Sequence, residues 1–298
     1  MYPCEVCNKL HPSEEVKDLC CSERMHYFHK PYSLDITHGT DFTRFSNRPV
    51  GIEIETGSGG RKLRVYRWVI KNFPLWGASE DTSIAEDAYE FQTNPTTGNL
   101  IADNYAYFHQ ILLDFGVKLE AKDNAFQVQV YAGDLFDLVD KLHKTNPIKA
   151  LEIEKCIKIW GECISSFLLE TRRLNISSTY PQCSLAYRSR ASKGGTLAFT
   201  TMPTVLEPAI AIRKATFEFR TLPSVNDPSW HIARTELAQK SVDYLFTRAS
   251  AGDYESLSTL SKITQSDWIT KVSNLASIIA LSNASKLSWY IHHVPQNH

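Results

Sequence analysis

The chain has 298 residues, enough for one large domain or two modest ones. Hydrophobic residues at 43% and charged residues at 22% exclude wholesale disorder, and a formal net charge of -1 excludes a general pull toward nucleic acid or anionic lipid. No apolar run approaches the ~20 residues of a membrane span, and Met1 to Leu10 lacks the basic and apolar segments of a secretion signal. The expectation is a soluble, cytoplasmic protein with no membrane partner.

Four of the seven cysteines fall in the first 21 residues, a local cluster unlike an evenly spread disulfide framework. Cys4-Glu5-Val6-Cys7 is a two-ligand knuckle, followed by Cys20, Cys21, His26 and His29. Zinc takes four such ligands at tetrahedral corners, and two ligands about three residues apart can grip it from one turn. A segment this short and polar needs a metal to fold, so residues 1–30 read as a structural zinc module. Which four of the six candidates bind is left open, and reduced thiols packed against the main domain are the alternative. Lys9, Lys17, Arg24 and Lys30 make only a thin basic patch beside Glu5, Glu14, Glu15, Asp18 and Glu23, so nucleic acid is a weakly supported partner. Residues 31–48 carry Pro31 and Gly39 without apolar periodicity and read as a linker, leaving 49–298 as the main domain.

Val50 to Thr56 alternates strictly: Ile52 and Ile54 share one side of a strand, Glu53 and Glu55 the other. Two carboxylates so placed are about 7 Å apart along the strand and repel unless they face water or share cations. The pattern recurs with Glu90 and Gln92 between Tyr89 and Phe91, and with Gln127 and Gln129 between Phe126, Val128 and Val130. It recurs once more where Thr216, Glu218 and Arg220 alternate with Phe217 and Phe219. A solvated sheet face would explain any one segment, yet lysine is nearly absent from these polar faces, where ordinary surfaces mix charge signs. In one antiparallel sheet, Glu53, Glu55, Glu90 and Glu218 would converge and suit magnesium, with Arg220 as a phosphate clamp.

Between the third and fourth of these segments, Asn146-Pro147 opens a helix through Ala150, Ile153, Ile157, Trp160, Ile164 and Leu168. Cys156 and Cys163 share one of its faces and read as packing residues. Pro228 to Thr247 and Tyr254 to Ser282 read as further helices behind the sheet, giving an α+β domain. His109 and His143 are isolated and read as structural or exposed. No Walker-type loop appears, no G-x-G-x-x-G follows a strand, and no cysteine has a persuasive histidine partner for hydrolysis.

From about Pro49 to Leu245 the chain resembles the amidoligases, carboxylate–amine ligases related to glutamate–cysteine ligase and, more distantly, glutamine synthetase. The matching motifs are Gly51-Ile52-Glu53-Ile54-Glu55, Trp76 with Glu80-Asp81-Thr82-Ser83, Tyr89-Glu90-Phe91 with Pro95, and Thr216-Phe217-Glu218-Phe219-Arg220. The resemblance implies a curved antiparallel sheet backed by helices, glutamate–cysteine ligase-like. It implies that Glu53, Glu55, Glu90 and Glu218 hold magnesium on the phosphates of ATP, that Arg220 contacts a phosphate, and that Asp81 assists metal or substrate. Arg172, Arg173 and Asn175 follow the long helix, where the family places an arginine and asparagine near the nucleotide. The substrates implied are a small-molecule or peptide carboxylate and an amine, joined through an acyl phosphate. Gly57-Ser58-Gly59-Gly60 and Lys193-Gly194-Gly195 would be covering loops, or else ordinary turns.

The chain departs from the family at one point. Gln127-Val128-Gln129 stands where the family carries histidines; Gln127 and Gln129 are read as cofactor-binding, since a glutamine carbonyl can coordinate magnesium, but an amide is neutral, shuttles no proton and binds cations more weakly than a charged group. A competing expectation is therefore a catalytically inactive descendant, a scaffold that binds nucleotide, protein or nucleic acid.

Overall fold

The computed structural model describes residues 2–3, 10–11, 36–56, 76–80, 89–114, 116–117, 119, 125–174, 185–187, 216–263 and 266–291. Their strands are β1 (Tyr2–Pro3), β2 (Leu10–His11), β3 (Val50–Thr56), β4 (Trp76–Glu80), β5 (Tyr89–Thr93), β6 (Ala125–Tyr131), β7 (Leu185–Tyr187) and β8 (Thr216–Pro223). Their helices are α1 (Leu100–Asp114), α2 (Gly133–Thr145), α3 (Pro147–Leu174), α4 (Pro228–Ala251), α5 (Tyr254–Ile263), α6 (Trp268–Ile278) and α7 (Asn283–Ile291). β1 and β2 pair only with each other; the rest form one antiparallel sheet in the order β4-β5-β3-β6-β8-β7. This open sheet has a centre of four strands, β5-β3-β6-β8, each flanked on both sides. The chain is α+β.

Registry makes the alternation work across strands. Ile54 stands opposite Phe91 on β5 and Phe126 on β6, while Val128 stands opposite Phe219 on β8. A period of two then collects Ile52, Ile54, Phe91, Phe126, Val128, Val130, Phe217 and Phe219 on one face, and all are buried. Helices cover that face. Phe91 meets Phe108 of α1, Phe217 meets Trp160 of α3, and Phe126 stacks on His231 of α4 with ring centroids 4.1 Å apart.

α3 runs 28 residues, about 42 Å at the usual rise. Its buried stripe of Ala150, Ile153, Cys156, Ile157, Trp160, Cys163, Ile164, Phe167 and Leu168 follows helical spacing. Neither cysteine is in a disulfide, both are buried, and burial pushes the Cys156 thiol up to about 11. They pack, as read from sequence. α4 is the most enclosed helix, touching β6 and the helices α1, α2, α3, α5 and α7. Asp227 caps its start by accepting from the Ser229 backbone N–H, with Pro228 in the first turn, and Gly252 closes it in the left-handed region. The 254–282 segment is divided between α5 and α6, and α6 restarts on Asp267, which accepts from the Thr270 N–H.

The part of the 31–48 segment that is described has no helix or strand, yet it is anchored. Phe45 is fully buried, and Ser46 N–H donates to Gln239 Oε1. Arg44 reaches the buried Glu236 of α4 at 2.6 Å, a carboxylate that also accepts from the hydroxyls of Ser282 and Ser285. Arg48 forks onto both oxygens of Asp134 and reaches Asp243 at 2.6 Å. Charged side chains, rather than an apolar stripe, fasten this connector, which is why no periodicity marks it.

Candidate metal centre

The second face of the sheet is built from the residues that alternate with the core. Across β3 and β5 the opposed pairs are Glu53 with Gln92 and Glu55 with Glu90; across β3 and β6 they are Glu53 with Gln127 and Gly51 with Gln129. The carboxylates of Glu53, Glu55 and Glu90 each offer an oxygen within 4.8 Å of the other two. Opposed oxygens around magnesium are about 4.1 Å apart and around calcium about 4.6–5.2 Å, from ordinary metal–oxygen distances. The triad is therefore spaced so that one hard cation could bridge it with little movement.

This face is not an open one. Glu53 is 2% exposed, Glu55 8% and Gln127 4%, whereas Glu90 is only half-buried. A plainly solvated polar face, the simpler account of any single strand, does not describe it. Burying carboxylates demands hydrogen bonds or compensating charge, and β6 supplies part of this. Gln127 donates through Nε2 to Glu55 Oε1, and Gln129 donates through Nε2 to Glu53 Oε2 at 2.7 Å. Both contacts run diagonally across the β3–β6 ladder. Gln129 faces Gly51, which has no side chain to meet it, so its amide leans toward Glu53. Each such bond to an ionised group is worth about 1.5–3 kcal/mol.

Gln127 has a further property. Its Oε1 is buried and, among the described residues, accepts no hydrogen bond. One end of the amide is engaged with the acidic triad while the other end is left without a donor.

β8 brings the remaining predicted strand residues beside β6. Glu218 is the register partner of Gln129. Between the Phe126–Leu222 and Val128–Phe219 pairs the register shifts, so that Arg220 and Thr221 together oppose Gln127. Such bulges bend a strand and re-aim its residues, and they are common beside functional sites. Arg172 and Arg173 occupy the last turn of α3. Asp81, Asn175, Cys4, Cys7, Cys20, Cys21, His26, His29 and the two glycine clusters lie outside the described residues.

Two features had no counterpart in the sequence reading. The diagonal Gln127–Glu55 and Gln129–Glu53 contacts depend on register, which alternation within one strand does not specify. His109 is not isolated: its ring lies 5.8 Å from Tyr105 and 6.0 Å from His231, and the Tyr105 hydroxyl hydrogen-bonds His231 Nδ1. Burial pushes the Tyr105 phenol well above its ordinary value and the His109 imidazole below its own, so both are held neutral on the helical side of the sheet. His143 is half-buried and bonds Glu154 at 2.8 Å between α2 and α3. No helix among the described residues is long and apolar enough to cross a membrane. No family model matches this chain, and no curated protein is similar to it at the level that marks a relative.

Proposed function

We propose that this protein is an ATP- and magnesium-dependent ligase that joins a carboxylate to an amine. The observation that carries the reading is the meeting of buried Glu53 and Glu55 with half-buried Glu90 at the centre of an antiparallel sheet. These three carboxylates form an all-oxygen donor set suited to a hard divalent cation. The sequence resemblance supplies the rest: the matching motifs fall in the same order as in the amidoligases, with Arg220 on a strand two away from that of Glu53 and Glu55.

In the reaction, a substrate carboxylate oxygen attacks the γ-phosphorus of ATP, forming an acyl phosphate and releasing ADP. An amine then attacks the acyl carbon, the C–O bond to phosphate breaks, and the nitrogen loses a proton to give amide and inorganic phosphate. When bound, magnesium supplies charge neutralisation at the phosphates, and Glu53, Glu55, Glu90 and Glu218 would hold it. Gln129 fixes the orientation of Glu53. Arg220 would take a phosphate oxygen pair, for which a guanidinium fork is shaped. Asp81, Arg172, Arg173 and Asn175 are assigned to substrate and nucleotide on the resemblance alone. Structural zinc on the residue 1–30 module, and a cytoplasmic setting, belong to the same proposal.

One observation favours a second reading. Gln127 and Gln129 already donate to the carboxylates that a cation would engage, so an inactive scaffold could keep this face folded without metal. ADP release separates the two. With ATP, magnesium and a panel of carboxylates and amines, the ligase releases ADP in proportion to amide formed. Both products should vanish in Glu53→Gln and Glu55→Gln while cooperative unfolding remains. ATP affinity in magnesium that neither substitution alters would refute the ligase assignment.

A further inference from the structure

We infer that Gln127 is itself a ligand of the cation, and that its amide turns over when the cation binds. This rests on the metal centre proposed above and adds an amide oxygen to its carboxylates, together with a preference among metals. Two facts about one side chain carry it. Gln127 Nε2 donates to Glu55, which puts the amide against the acidic triad, and Gln127 Oε1, bonded to the same carbon, is buried with no donor among the described residues. A buried carbonyl without a partner costs about 1–3 kcal/mol, and folded chains keep such groups where something else satisfies them.

The terminal torsion of glutamine is broad and roughly two-fold, so half a turn exchanges oxygen and nitrogen while leaving the backbone in place. In the structure the NH2 group faces Glu55 and takes the place of positive charge. With a cation present that orientation becomes repulsive, and the exchanged one offers a carbonyl beside three carboxylates. Gln129 keeps its bond to Glu53 Oε2 and acts as a positioning residue, holding that carboxylate in place. The resulting set contains no nitrogen or sulfur. It therefore takes magnesium, manganese or calcium in preference to zinc, for which imidazole and thiolate are the better ligands. The bulge on β8 opposite Gln127 also interrupts pairing at that point, where a regular ladder would pack a single residue against it.

The test uses Mn2+ alone, without nucleotide, on the full chain, with free Mn2+ read by its paramagnetic resonance signal. Gln127→Leu should bind Mn2+ at least tenfold more weakly than the wild type while still unfolding cooperatively. Gln127→Glu, with a charged oxygen at the same position, should bind at least as tightly as the wild type. Gln127→His should move the preference toward Zn2+ in competition with Mn2+. Wild-type Mn2+ affinity in Gln127→Leu, with binding lost in Glu55→Gln, would overturn the role of Gln127 and leave the metal centre standing. Binding unaffected by both would remove the metal centre as well. Should Gln127→Leu fail to fold, Gln127→Glu decides: an affinity several-fold below wild type overturns the proposal. Absence of ADP release bears on the ligase reading and leaves these outcomes unchanged.

Discussion

Glu55 and Glu90 stand directly opposite each other on neighbouring antiparallel strands. Like charges in that relation weaken strand pairing by roughly 0.2–1 kcal/mol, and the burial of Glu55 adds to the cost. Gln127 approaches Glu55 from the other neighbouring strand with a neutral donor. A local conflict kept at the centre of a sheet, where hydrophobic or mixed-charge pairs would pair better, is expected at functional sites.

Relief of that conflict should be measurable. Glu90→Gln removes one of the opposed charges, so the metal-free protein should gain about 0.5 kcal/mol in urea unfolding, within the range for a like-charge cross-strand pair. The same substitution should abolish the rise in Tm that Mn2+ produces in the wild type. A loss of stability together with an intact Mn2+ effect would show that Glu90 serves the fold alone.

Arg48 fastens the connector between the N-terminal segment and the main body. Burial by itself would lower its pKa, but the hydrogen bonds it donates to Asp134 and Asp243, with their negative charge, outweigh that and hold it above its ordinary value. Arg48→Ala leaves both carboxylates without this partner and should cost roughly 2–3 kcal/mol, below the usual figure for a buried pair because both aspartates reach solvent. Arg48→Lys keeps the charge but cannot span Asp134 and Asp243 with one planar fork, so denaturant melts should place it between the two. Equal midpoints for all three proteins would show that the connector contributes nothing.

His109 predicts a pH dependence of stability. Burial lowers its pKa from the ordinary 6.5, against smaller opposing contributions from the Val225 backbone and Asp227. The unfolded chain therefore takes up a proton below about pH 6.5 that the folded chain resists. Its stability contribution is complete above that pH and declines as the pH falls toward the folded-state value. Unfolding free energy measured from pH 7.5 down to pH 5.5 should fall less steeply in His109→Gln than in the wild type. Parallel slopes would rule His109 out as a source of the acid sensitivity.

Gly252 ends α4 at φ 71°, and its N–H bonds the carbonyls of Ala249 and Arg248. A Cβ there would meet nothing within 4 Å, so Gly252→Ala tests backbone conformation alone. It should destabilise by about 1 kcal/mol, and Gly252→Asn by less, since asparagine tolerates the left-handed region better. Unfolding midpoints for the two variants in the reverse order would contradict this account.

Much of the strand architecture was legible because alternation is a local property. Val50 to Thr56 shows its two faces in seven residues, and Pro147, Pro228 and Gly252 mark helix ends through their own backbone constraints. α1, α2 and α7 were not read from sequence. α1 mixes buried His109 and Tyr105 with apolar positions, and α7 is short and rich in serine, so neither shows a clean stripe. The anchored connector escaped notice for the same reason: Arg44 and Arg48 look like surface residues until Glu236, Asp134 and Asp243 arrive from far along the chain.

By itself, the sequence determined which side chains share a face of each strand, because successive residues of an extended chain point to opposite sides. It did not determine which strands are neighbours, nor the register between them. Those depend on contacts among residues 9 to 98 positions apart, and one residue of slippage would exchange the faces. Only the tertiary structure set Glu90 opposite Glu55, turned two glutamines diagonally onto Glu53 and Glu55, and buried a face whose composition resembles a surface.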